Sequence, residues 1–158
     1  MSTFKAILAT QQDGKFHASI QDIDRGALPP GEVLVRVHYS DLNYKDGLAV
    51  TGRPGVIRKF PMSPGVDLAG VVEESTSPVW KPGDQVMVTG YGLSETTWGG
   101  YSELARLDAD HLIRLPQGLT LKQSMAIGTA GFTAMQCVME LERHGVAPGG
   151  GEVLVTGA

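Results

Sequence analysis

Leu42-Asn43-Tyr44-Lys45-Asp46-Gly47 brings an amide, a phenol, an ammonium and a carboxylate into one short run, and Asn43 is the only asparagine in the chain. Two readings are open on residue types alone: a helix cap with a surface turn, or the lip of a pocket that offers polar groups to a small-molecule substrate. A second stretch, SPGVDLAGVVEES, sets Asp67 in an otherwise apolar strand, so this carboxylate must find a hydrogen-bond or ionic partner. The third, Ile127-Gly128-Thr129-Ala130-Gly131-Phe132-Thr133-Ala134, places two hydroxyls beside two glycines. At a helix break such a pattern lets backbone approach a ligand closely, although close packing of helices uses the same residues.

Other chemistries find no support. His17, His38, His111 and His144 are widely separated and Cys137 is the single cysteine, so neither an internal disulfide nor a thiolate-rich zinc site can form. No Gly-x-Ser-x-Gly elbow is present. Gly149-Gly150-Gly151 precedes an apolar run instead of following it, which makes a connecting loop and no phosphate cradle. The net charge of -4 argues against nucleic acid or an anionic membrane as a partner. No stretch reaches the ~20 apolar residues of a membrane span, and the N-terminus lacks a signal-peptide core. A reducing, cytoplasmic compartment fits the lone cysteine.

The elements that must position these groups are mostly short strands. Phe4 to Ala9 and Phe16 to Ile23 flank Asp13-Gly14 and predict a hairpin. In EVLVRVHYS, Val33, Val35, Val37 and Tyr39 share one face and Glu32, Arg36 and His38 the other, with Leu34 the exception. Asp41 is a candidate cap for a short helix containing Tyr44 and Lys45. Further strands are expected at 66–73, 84–89, 99–107 and 111–115. From Thr120 the pattern turns helical, opened by the capping box Thr-Leu-Lys-Gln. Gly128 and Gly131 are expected to break it, Phe132 to Glu142 to continue it, and Gly145 to end it. Val153-Leu154-Val155 reads as a buried parallel strand running into Thr156-Gly157-Ala158, the usual approach to a glycine-rich phosphate loop.

Taken in order, LNYKDGLAVTG, FPMSPGVDLAGVV, KPGDQV, WGGYSELA and AIGTAGFTAM resemble the medium-chain dehydrogenase/reductase superfamily. The likeness is nearest to its acrylyl-CoA reductase group, the quinone oxidoreductases of the YhdH/YhfP type. It implies a mainly β fold with α: a GroES-like β-barrel over residues 1–121 as substrate domain, then 122–158 as linking helices and first strand of a truncated Rossmann domain. Zinc-dependent members carry Cys where this chain has Asn43 and His-Glu where it has Val66-Asp67, so the resemblance is to a zinc-independent branch with no metal ligands.

The resemblance further implies reduction of an activated double bond by NADPH. Asn43 and Tyr44 are then the catalytic donors, Tyr44 also contacts the nicotinamide half, and Thr129 and Thr133 are further cofactor contacts. Lys45 and Asp46 are expected to pair with each other, while Arg53, Arg58 and Lys59 form a basic loop that either meets CoA phosphates or is simply solvated. On this reading the chain is a fragment, inactive alone, of an enzyme whose full-length form is a homodimer and whose cofactor site lies mostly beyond residue 158. A stand-alone GroES-like module binding a small ligand or a protein is the competing class.

Overall fold

The computed structural model describes residues 3–156. Strands β1 (Thr3–Gln12) and β2 (Lys15–Asp24) form the expected antiparallel hairpin. Its turn residues Asp13 and Gly14 have φ of 50° and 73°. Positive φ at both central positions matches the right-handed twist of the two strands.

The remaining strands, β3 (Val33–Ser40), β4 (Asp67–Ser75), β5 (Gln85–Thr89), β6 (Leu104–Leu107) and β7 (Ile113–Arg114), make one antiparallel sheet in the order β6-β3-β4-β5-β7. Between β3 and β4 the chain leaves the sheet through the short helix α1 (Tyr44–Val50). After β7 it continues as α2 (Leu121–Arg143).

The start of β3 lies between two cores. Val33 and Val35 pack with Leu68, Val72, Val86 and Val88, while Leu34 faces the opposite way into Phe4, Ile23, Met62, Trp98 and Leu104. Alternation fails at Leu34 because the β1–β2 hairpin covers the second face. Each such side chain contributes about 1.5–3 kcal/mol on burial. Farther along, the register with β4 shifts between Val37 and Tyr39, and Tyr39 is 43% exposed instead of joining the apolar face.

Several expected elements differ. The strand predicted over 99–107 is regular only from Leu104. Gly99, Gly100 and Tyr101 instead bond their N–H groups to Ser63, Gly65 and Pro64 carbonyls at 2.7, 3.0 and 2.9 Å, and this close backbone approach bends the segment toward the start of β4. In α2 the capping box is present, with Thr120 accepting from Gln123 N and the Gln123 side chain accepting from Thr120 N. The helix breaks at Gly128 alone, where φ is 51° and ψ -164°, and runs through Gly131.

The first half of α2 packs Leu121 and Met125 on Ala69 of β4, whereas the second half leaves Phe132, Met135 and Val138 exposed. Val153-Leu154-Val155 has the apolar character of a buried strand but no ladder partner among the described residues, and Leu154 is 86% exposed. A parallel strand of this type needs neighbours on both sides and cover on both faces. Gly157 and Ala158, with which that expected strand ended, lie outside the described residues. No described helix is long and apolar enough to cross a membrane.

Candidate functional site

The corner between β3 and α1 is built by Asn43. Its Oδ1 accepts from Lys45 N at 3.0 Å and from Asp46 N at 3.2 Å, and Asp46 Oδ2 accepts from Asn43 N at 3.1 Å. Asn43, not Asp41, is therefore the helix cap, because its extended backbone (φ -123°, ψ 177°) directs the side chain back over the first turn. The cap uses only the oxygen. The amide Nδ2 is buried and has no hydrogen-bond partner, so one face of this corner carries an unspent donor.

Tyr44 follows as the first helical residue and is 83% exposed, its hydroxyl without a hydrogen bond among the described residues. Lys45 and Asp46 do not pair. Lys45 reaches across to Glu95, which also takes Arg58 at 3.3 Å, and the Lys45 hydrogen bond holds the Glu95 carboxyl below its usual range. Asp46 points inward, fully buried, and accepts Val66 N at 3.0 Å, which ties α1 to the entrance of β4. Burial raises its carboxyl above the ordinary value, opposed by the two backbone N–H bonds. Of the three basic residues read either as CoA-phosphate contacts or as a solvated loop, Arg58 shares Glu95 with Lys45, and all three are exposed.

Beneath this corner lies a group of carboxyls that motif reading did not assemble. Asp67, fully buried, accepts Thr129 Oγ1–H at 2.7 Å and Thr129 N–H at 3.0 Å, so its required partner is the threonine just past the break in α2. Asp41 lies against Asp67. Burial, a hydrogen bond to Asp67 and the charges of Asp67 and Asp46 push the Asp41 carboxyl up to about 7. Tyr101 closes the group, donating its hydroxyl to the Asp41 carbonyl at 3.0 Å, and burial among these carboxyls raises its phenol above the usual value. No basic side chain pairs with Asp41, Asp46 or Asp67 among the described residues. The sequence signal was the need of Asp67, within its apolar strand, for a partner; nothing in the sequence brought Asp41, read there as a cap, or Tyr101 to it.

Thr129 and Thr133 stay on the same helix segment, and Thr133 Oγ1 donates to the Thr129 carbonyl at 2.8 Å. Of the four residues singled out by sequence, Asn43 and Tyr44 form one corner, Thr129 joins it through the carboxyl group, and Thr133 sits a turn farther along an exposed face. None of the four lines the groove of about 400 Å³ that runs past Ile7, Ile20, Val37, Tyr39 and Tyr101.

Residues 29–117 match the family described as Alcohol dehydrogenase GroES-like domain. The chain is 54% identical over 154 residues to the probable acrylyl-CoA reductase AcuI of Escherichia coli (strain K12), covering 98% of this chain and 48% of that protein. It is 43% identical over 159 residues to the putative quinone oxidoreductase YhfP of Bacillus subtilis (strain 168), covering 100% of this chain and 48% of that protein. The crystal structure of the yhdH oxidoreductase from Salmonella enterica in complex with NADP superimposes with a TM-score of 0.89 at 51% identity, over 93% of this chain and 45% of that one. The chain spans about half the length of the curated relatives it matches.

Proposed function

The chain belongs to the alcohol dehydrogenase GroES-like domain family, and on that premise we propose that it forms the substrate side of an NADPH-dependent reductase of carbonyl-activated double bonds. The acceptor is an acrylyl thioester or a quinone, the two substrate classes named for its relatives. We take residues 1–121 as the substrate domain and 122–158 as the start of a nucleotide-binding unit, in a protein that is a homodimer when complete.

The observation that carries this reading is the Asn43–Tyr44 corner, where a buried, unpartnered amide donor adjoins an exposed phenol. NADPH, when bound, supplies a hydride to the β-carbon of the double bond. Negative charge then develops on the conjugated carbonyl oxygen, and preorganised donors lower the barrier by meeting it there. Asn43 is suited to this because the cap holds its Oδ1 and so orients Nδ2. Tyr44 would donate its hydroxyl to the same oxygen and contact the nicotinamide half of the cofactor. The residues present fit that ring's carboxamide end: Thr129, only half buried, keeps free lone pairs while its proton goes to Asp67.

Zinc does not fit the same corner. Val66 has no ligating side chain, Asn43 Oδ1 is used by the helix cap, and both Asp67 oxygens are held by Thr129. Elemental analysis of the purified protein is expected to find no stoichiometric zinc, and one dialysis-resistant zinc per chain would contradict this reading.

The functional test is NADPH-dependent reduction of acrylyl-CoA by the complete gene product. Removing one oxyanion donor is worth roughly 3–4 kcal/mol, so Tyr44→Phe is expected to lower turnover a few hundredfold with little change in melting temperature. Asn43→Ala would also remove the cap, at about 1 kcal/mol of stability. Asn43→Ser keeps a capping oxygen, loses the amide donor, and is the variant whose turnover should fall without that loss. Unchanged turnover in both Tyr44→Phe and Asn43→Ser would reduce the corner to a helix cap.

A further inference from the structure

Asp67 meets α2 at an unusual place. The break at Gly128 frees the first N–H of the second helical half, and Asp67 accepts it from Thr129 together with the Thr129 hydroxyl, at 3.0 and 2.7 Å. Both Asp67 oxygens therefore act as acceptors toward Thr129. Asp41 lies beside them, its carboxyl against Asp67 and its Oδ2 where a side chain on Gly128 would begin. The Thr129 hydroxyl proton is thereby directed inward to Asp67, and Oγ1 of this half-buried residue retains only lone pairs for any other partner.

We infer that Asp67 is a positioning residue that fixes the Thr129 hydroxyl as a hydrogen-bond acceptor, so that this part of the site reads an N–H or O–H donor on the cofactor, such as the carboxamide NH2. The inference rests on the proposed cofactor contact of Thr129. A free threonine hydroxyl could rotate to suit either a donor or an acceptor; one held by a buried carboxylate cannot. Asp67→Asn reverses this polarity, because the new amide has a single acceptor oxygen for two donors and its NH2 competes for Thr129 Oγ1.

The test is a double-mutant cycle on NADPH affinity in the complete gene product, read from the shift and enhancement of NADPH fluorescence, with thermal melts in parallel. Thr129→Val removes the hydroxyl but keeps the shape and the backbone N–H, and should weaken NADPH binding about tenfold. Thr129→Ser should restore it. Asp67→Asn should weaken binding to a similar degree in the wild-type background and add nothing to Thr129→Val. If the two losses add, Asp67 acts only as a structural cap and the inference falls. If Thr129→Val binds NADPH as tightly as wild type, the Thr129 contact itself is wrong and both readings fall. Should Asp67→Asn fail to fold, the wild-type hydroxyl decides: a slowly exchanging Thr129 Oγ–H resonance in the NMR spectrum supports the committed proton, and a hydroxyl in fast exchange with water overturns it.

Discussion

The Asp41 carboxyl holds its proton to about pH 7 in the folded chain, whereas an ordinary aspartate releases it near 3.8. Between these values the folded protein keeps a proton that the unfolded chain has lost. Stability must then fall as pH rises through that window and level off above it. Asp41→Asn presents an N–H to Asp67 in place of the acid proton and cannot ionise. Its stability relative to wild type should therefore grow from about pH 4 to about pH 7 and stay constant beyond, as read from denaturation curves at several pH values. Parallel curves for the two proteins would mean that Asp41 is solvated and does not face Asp67 and Asp46.

Helix α2 depends at its break on a backbone geometry that only glycine takes without strain. At Gly128, φ of 51° with ψ of -164° is closed to side chains, and a Cβ built there would overlap Asp41 Oδ2. Gly128→Ala should cost about 2–4 kcal/mol, since backbone strain and displacement of a buried carboxyl act together. Gly131→Ala is the internal control. Gly131 is helical, and the added Cβ meets only the side chain of Ile127, at 2.8 Å. The gain in helix propensity and the shift of Ile127 should leave this variant within about 1 kcal/mol of wild type. Equal effects at both positions would show that the break is not what holds Thr129 against Asp67.

Across the whole molecule, the two sheet cores are closed, but Phe132, Met135, Val138 and Met139 of α2 and Val153-Leu154-Val155 expose apolar side chains over one end. Such a surface gains by being covered, and a nucleotide-binding unit of the proposed reductase would cover it. The 158-residue chain by itself is expected to oxidise no NADPH with acrylyl-CoA or simple quinones, while giving a cooperative melt. Amides of residues 152–156 should exchange rapidly in hydrogen-exchange measurements on the dilute chain. Enzyme-like turnover, or strong protection of that stretch in a dilute monomer, would contradict the expectation.

Sequence alone determined the features that depend on neighbours along the chain. The Asp13-Gly14 hairpin, the alternation of Val33, Val35 and Val37, the Thr120 capping box and the break at Gly128 all follow from short-range backbone preferences and from which side of an element meets water. It also required that Asp67 have a partner, because a buried charge without one is too costly. Which partner was beyond it: Thr129 is 62 residues away, Glu95 is 50 residues from Lys45, and Asp41 was legible only as a cap. Leu34 likewise broke the alternation for a reason outside its strand, the hairpin packed on its far face. Local rules state what each group needs. Only the tertiary packing decides which of several adequate donors and surfaces arrives there, since that choice is made by the fit of distant elements and not by any residue's own chemistry.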